Sequence, residues 1–281
     1  MTLEYLLKLT TKELKKELFL FLNKKEMNPI SEDGFIYAKG NIPILLVAHM
    51  DTVFPEPPKK ILYNKEQDKI YNPKGGLGGD DRCGIYAILK LLKEYRPHIL
   101  FTEDEEIGCI GASKAVKKLQ IPNVKYIIEF DRRGKEDCVF YDCGNEEFIN
   151  YIQTFDFILN YGSYSDISVL GSAWNIAAVN LSVGYYNEHT ENEYVIFDEL
   201  QKTINRAKVM LEQLNKAPYF EYQEVKYKPK HMSLFDGLSD EESLILLQNL
   251  YIKKEEQKDT KKLTLKNDSN NTKRDEKNDI K

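Results

Sequence analysis

Four short apolar runs punctuate the chain: Ile42–Val47, Ile99–Thr102, Tyr126–Phe130 and Ala177–Ser182. None alternates strictly between polar and apolar positions, so each predicts a strand buried on both faces of a sheet. Between them the spacing becomes helical. Ile85, Ile88, Leu89 and Leu92 fall at i, i+3, i+4 and i+7, and further helical patterns cover Ala112–Leu119, Phe148–Phe157 and Phe197–Leu214. Asp198 is the expected cap of the last of these. Ile61–Tyr71 predicts an edge hairpin turning at Lys65–Lys69. At the start of the chain, Leu3, Leu6, Leu7 and Leu9 interleaved with Lys8, Lys12, Lys15 and Lys16 predict an amphipathic helix that opens the domain. Strands alternating with helices imply an α/β fold, a three-layer αβα sandwich around a mostly parallel central sheet.

This body occupies residues 1–222. A linker over 223–238 begins around Lys226-Tyr227-Lys228-Pro229-Lys230, and a short appended helix over 239–252 starts at Ser239 with Glu242 in capping-box spacing. Residues 253–281 are almost all Lys, Asp, Glu, Asn and Thr, a charged tail expected to be disordered. The 281 residues carry a formal charge of −5 with 42% hydrophobic positions. No basic stripe interleaved with aromatics is present, so no nucleic-acid partner is expected. No apolar run approaches the ~18 residues of a membrane span. The four cysteines (Cys83, Cys109, Cys138 and Cys143) form no CxxC pair, and the N-terminus lacks an uninterrupted apolar signal region. Reduced thiols and a cytoplasmic location are the expectation.

Each predicted strand runs into residue types that ligate metals. Val47-Ala48 leads to His49-Met50-Asp51, and Phe101-Thr102 to Glu103-Asp104-Glu105-Glu106. Ile128-Glu129-Phe130 leads to Asp131, and Leu181-Ser182-Val183 to His189 a few residues on. A glycine-flanked Asp80-Asp81 opens the helix containing Ile85. In open α/β sheets the ligand crevice lies outside the carboxyl ends of the strands, so these groups are expected at one edge. Singly each signal is ordinary: an acidic run usually faces solvent, and the lone His98 and His231 suggest no role. Together they imply cations, because carboxylates gathered without compensation repel and are costly to desolvate.

The order and spacing of His49-x-Asp51, Gly79-Asp80-Asp81-Arg82-x-Gly84, Glu105-Glu106-Ile107-Gly108, Asp131 and His189-Thr190-x-x-Glu193-Tyr194-Val195 resemble the co-catalytic zinc exopeptidases. That superfamily includes peptidase T, carboxypeptidase G and single-domain zinc aminopeptidases, and the resemblance spans about residues 35–215. It implies two Zn²⁺ ions, with Mn²⁺ or Co²⁺ able to fit the same ligands. Asp80 would bridge them, His49 and Asp131 would complete one site, and Glu106 and His189 the other. Asp51 would hydrogen-bond the His49 ring and fix its tautomer. Glu105 would be the general base, and the Asp80–Asp81 peptide would be cis. Two such ions lower the pKa of a bound water to near 7, and the base transfers its proton to the leaving amine.

Peptidase T and carboxypeptidase G relatives insert a lid or dimerisation domain between the equivalents of Asp131 and His189. Here that interval is 58 positions (189 − 131), and the one between Asp51 and Asp80 is 29 (80 − 51), so no inserted lid domain is expected. Asp at position 131, where many carboxypeptidases and deacylases of this superfamily carry Glu, implies an aminopeptidase acting on small peptides. Asp166 or Glu188 would receive the substrate ammonium. Arg132 or Arg133 gripping a carboxylate would instead favour a carboxypeptidase, or a deacylase acting on acyl-amino-acid substrates. A non-catalytic, partner-binding member would require a missing ligand or base, and every position is filled. The motifs leave side-chain preference and oligomeric state open.

Overall fold

The computed structural model describes residues 1–214. The expected linker at 223–238, the helix at 239–252 and the tail at 253–281 lie outside the described residues, as does His231. Two N-terminal helices, α1 (Leu3–Leu7) and α2 (Thr11–Lys24), are followed by strands β1 (Ile30–Glu32), β2 (Phe35–Ala38) and β3 (Ile42–His49). The hairpin strands β4 (Leu62–Asn64) and β5 (Lys69–Tyr71) precede helix α3 (Gly79–Leu91). Then come β6 (Pro97–Thr102), α4 (Ile110–Lys118), β7 (Tyr126–Arg132), β8 (Asp137–Val139), α5 (Glu146–Gln153) and β9 (Ile158–Leu159). Helix α6 (Asp166–Trp174), strands β10 (Ala178–Ser182), β11 (Tyr185–Tyr186) and β12 (Tyr194–Ile196), and helix α7 (Phe197–Glu212) complete the order.

Eight strands form the main sheet in the order β1-β2-β6-β3-β7-β10-β8-β9. The four predicted strands are its centre, β6-β3-β7-β10, and they run parallel. Alternate residues of β3 explain why that run lacks a polar face. Ile44, Leu46 and Ala48 pack into one core with α3 and α7, while Leu45 and Val47 pack into a second core with α4 and α6. A strand covered on both sides has no position for a polar side chain until it emerges at its end. The three-layer αβα arrangement is therefore present, and no inserted lid domain interrupts the chain between Asp131 and His189.

Several local expectations are corrected. The N-terminal segment is two helices, because Thr10 caps α2 with a reciprocal Glu13 contact and breaks the pattern there. The hairpin over 61–71 belongs to a separate four-stranded sheet, β11-β12-β5-β4. Helix α5 stops at Gln153, short of Phe155 and Phe157, whose burial supplied the apolar pattern. Asp198 does not cap α7: the helix leaves β12 directly at Ile196, and the Asp198 N–H is bonded by Asp68 from the hairpin.

Helix α3 meets β7 at Gly84. A Cβ there would lie 2.2 Å from the Phe130 carbonyl oxygen and 2.5 Å from the Asp81 carboxylate. Gly84→Ala is expected to destabilise the fold by about 1–3 kcal/mol or more, since the obstruction is main chain, and denaturant unfolding would measure it.

Candidate functional site

The carboxyl ends of the four central strands bring the predicted residues together. His49 ends β3, Asp131 lies near the end of β7, and Glu105 and Glu106 follow β6. Asp80 enters from the start of α3, and His189 from the loop between β11 and β12. His49 Nε2 is 3.0 Å from Asp80 Oδ1 and 3.4 Å from Asp131 Oδ1. His189 Nε2 is 3.2 Å from Asp80 Oδ2 and 2.9 Å from Glu106 Oε2. The two oxygens of Asp80 thus face two different imidazoles. His49, Asp80 and Asp131 form one group whose ligand atoms lie within 4.8 Å of one another, and Asp80, Glu106 and His189 form a second.

Each contribution has a local cause. Asp80 and Asp81 depart from helical geometry, and the peptide between them is cis. The regular part of α3 follows, capped by Asp81, whose Oδ1 accepts the Gly84 N–H at 2.8 Å and whose Oδ2 accepts the His49 N–H at 3.3 Å. Arg82, buried, donates to the carbonyls of Met50 and Leu9, fastening the end of β3 to the N-terminal helices. The acidic run after β6 divides by role. Glu103 accepts from Lys15 at 2.5 Å and from the Gly34 N–H at 3.1 Å, so it braces the fold, while Glu105 and Glu106 face the site.

Asp51 lies with Oδ1 3.4 Å from His49 Nδ1, long for a hydrogen bond, and its carboxylate accepts the N–H groups of Glu105 and Glu106 at 3.2 Å each. It therefore holds the main chain of both glutamates as well as flanking the ring. Asp166, expected as a possible receiver of a substrate ammonium, is fully buried and accepts from Thr102 with one oxygen, while the other is buried without a hydrogen-bond partner. Glu188 and Arg133 pair with each other at 2.8 Å, and Arg132 donates to the Tyr161 carbonyl. His98 is buried against Tyr37, as a residue without a role in the site.

Three residues with no predicted role complete the frame. Glu193, 1% exposed, accepts the main-chain N–H groups of Leu77, Gly78 and Asp80 at 3.1, 2.6 and 2.9 Å. It ties the His189 loop to the loop that presents Asp80. Its place in the last motif, four residues after His189, was the available signal. Asn180 and Tyr185 fix Asp131: its N–H donates to Asn180 Oδ1 at 2.8 Å, and the Tyr185 hydroxyl donates to its Oδ1 at 3.1 Å. Nothing in the spacing of the chain points to either.

The electrostatics show what the arrangement lacks. Burial and the neighbouring Asp80 charge push Asp131 well above the usual carboxylate range. Burial, opposed by His49 but reinforced by Asp166, Asp80 and Glu106, raises Glu105 to about 7. Burial and Asp80 raise Glu106 to about 7 as well, and its Oε1 is buried without a hydrogen-bond partner. Asp80 is lowered, because His189 and His49 together outweigh its burial. Imidazole nitrogens, crowded carboxylates and an unpaired buried oxygen are the donor set of a divalent cation site, and positive charge would reverse the upward shifts of Asp131, Glu105 and Glu106.

No protein-family model and no curated protein matches the chain by sequence. Solved structures do match it. The aminopeptidase PepT of Bacillus cereus superposes with a TM-score of 0.61 at 16% identity, over 76% of this chain and 97% of that one. A tripeptidase of Staphylococcus aureus gives 0.58 at 15%, over 77% and 97%. An aminopeptidase of the archaeon Desulfurococcus kamchatkensis gives 0.56 at 14%, over 75% and 93%. The fold implied by the sequence motifs, that of the zinc exopeptidases, is the fold observed.

Two expected outcomes follow from the geometry. Glu193→Gln turns an NH₂ group toward main-chain N–H donors, so the Asp80 loop loosens and divalent-cation affinity falls roughly 10–100-fold. Chelator competition measures this, and unchanged affinity would show that the loop holds Asp80 unaided. Without cations, Glu105 and Glu106 bind protons more tightly folded than unfolded, so stability falls as pH rises from 4.5 to about 7. His189, raised to about 9 by Asp80 against its burial, adds stability below 6.5 that is lost as pH rises through 9, a slope of the same sign. The gain in melting temperature on adding cation is therefore expected to be larger near neutral pH than at about pH 5.

Proposed function

We propose that the protein is a dinuclear metallopeptidase that hydrolyses peptide bonds, an aminopeptidase acting on small peptides. The observation that carries this reading is the Asp80 carboxylate, whose two oxygens face His49 and His189 while Glu105 stands beside them. His49, Asp80 and Asp131 would hold one cation, and Asp80, Glu106 and His189 the other. Mixed imidazole and carboxylate ligation suits zinc. When bound, the pair supplies an activated water near neutral pH and polarises the scissile carbonyl.

The remaining steps belong to the chain. Glu106 faces His189 and Asp80, whereas Glu105 belongs to neither ligand group. Glu105 Oε1 takes a weak thiol contact from Cys109 at 3.7 Å, which leaves the carboxylate free to exchange a proton. Standing beside both ligand groups and belonging to neither, it is placed to accept a proton from water and return it to the leaving amine. Asp51, through the N–H groups of Glu105 and Glu106, keeps the two glutamates in register. Asp131 as the terminal ligand and the absence of an inserted lid support the aminopeptidase form over a carboxypeptidase or deacylase. A cytoplasmic location accords with four free, buried thiols, and among the described residues no helix is long and apolar enough to cross a membrane.

Glu105→Gln is expected to lower turnover of an aminoacyl-arylamide by roughly 10²–10⁴-fold, the usual contribution of a general base. Metal content by elemental analysis should stay at the wild-type value, and an unchanged rate removes Glu105 from the mechanism. Chelation should abolish activity and readdition of zinc restore it. Cleavage of N-acyl amino acids alone would overturn the aminopeptidase assignment.

A further inference from the structure

The ion pair between Glu188 and Arg133 adjoins the site yet has no part in holding cations or moving the proton. Glu188 immediately precedes His189, and Arg133 follows Asp131 by two residues. Arg133 Nη1 donates to Glu188 Oε1 at 2.8 Å. The partners are unequal: the Arg133 side chain is 57% exposed, that of Glu188 only 20%. They line a groove of about 660 Å³ with Tyr186, Asn187, Thr190 and Asn192, residues that flank His189 on both sides.

We propose that Glu188 receives the free α-ammonium group of the substrate, and that Arg133 is a placeholder which the ammonium displaces. The inference rests on the aminopeptidase reading and supplies the group that distinguishes a free N-terminus from a blocked one. The loop bearing Glu188 is braced by its own hydrogen bonds. Thr190 Oγ1 donates to the Asn187 carbonyl at 2.7 Å and accepts the Asn192 N–H at 3.2 Å, and Asn187 Nδ2 donates to the Asn192 carbonyl at 3.4 Å. The main chain on both sides of Glu188 is therefore held, while Arg133 sits on a bend just past β7 and reaches in from solvent.

Replacing one cation by another on a fixed carboxylate conserves charge, and the released guanidinium regains its hydration. The reverse exchange, a substrate carboxylate taking Arg133, would leave the less exposed Glu188 unpaired beside a site already crowded with carboxylates, which is the costlier outcome. Asp166 is the poorer candidate, fully buried with one oxygen already taken by Thr102 and absent from the residues that line the groove.

Calorimetry on the full-length, zinc-loaded protein, carrying Glu105→Gln throughout so that no amide is cleaved and otherwise wild type, tests this with leucinamide, which carries the ammonium group, and N-acetyl-leucinamide, which lacks it. The wild type is expected to prefer leucinamide, and Glu188→Gln to reduce that preference roughly 10–100-fold, the worth of a charge-assisted hydrogen bond. Arg133→Gln should strengthen leucinamide binding several-fold by removing the competitor. Metal content should match the wild type in both variants. Failure of the wild type to bind leucinamide, or an unchanged preference in Glu188→Gln, overturns the proposal. So does binding of N-acetyl-leucine that Arg133→Gln abolishes. Leucinamide binding that depends on Glu188, without hydrolysis of any arylamide, would support the ammonium site while removing the aminopeptidase reading.

Discussion

Mutual repulsion among carboxylates at the ends of four parallel strands is the constraint around which this molecule is organised. Asp80, Asp131, Glu105 and Glu106 converge where only His49 and His189 oppose them, and three of the four acids are driven toward protonation. A fold does not concentrate like charge in a buried place unless something of opposite sign belongs there. The cations that would satisfy the site also explain why so much surrounding structure serves to hold main chain still. Asp81 caps α3 and meets the His49 N–H, Glu193 gathers three amides of the Asp80 loop, and Asn180 and Tyr185 grip Asp131.

The parallel sheet makes this concentration possible. Its central strands are apolar over most of their length because both faces are covered, with Glu129 and Asn180 as buried exceptions, and the ligand-type side chains collect beyond the strand ends. Parallel strands all end on the same edge. That edge receives His49, Glu105, Glu106 and Asp131 from β3, β6 and β7, while Asp80 from the start of α3 and His189 from the β11–β12 loop of the second sheet join them there. The antiparallel margins β1-β2 and β8 widen the sheet without adding a metal-ligand group to that edge.

Within the site, neighbouring residues of the same type are separated by what they touch. Glu103 pairs with Lys15 and supports α2, Glu106 faces His189, and Glu105 is left unligated with its proton affinity near neutrality. Asp51 and Asp166 show the same sorting. One accepts main-chain donors at the rim of the site, and the other is sealed below Thr102. Chemical type alone would not assign these roles, because burial and contact decide them.

Much of this was legible before the chain was folded. The four strands, the helical patterns at Ile85–Leu92 and Ala112–Leu119, and the gathering of the five motifs at one edge were readable because burial on two faces and strand-end placement leave local signatures. The short elements β1, β2, β8 and β9 and the contact that Asp198 makes with Asp68 in place of capping α7 were not, since the partners lie elsewhere in the chain. Glu193 stood in a motif without a role, and Asn180 and Tyr185 had no signal at all. That Asp166 is buried and bonded to Thr102 could not be read from its neighbours in the chain. Local pattern determined which residues are apolar, turn-forming or ligand-like. Only the tertiary structure decided which of them touch, because hydrogen bonds such as that from Gly78 to Glu193 span 115 residues and depend on where distant loops come to rest.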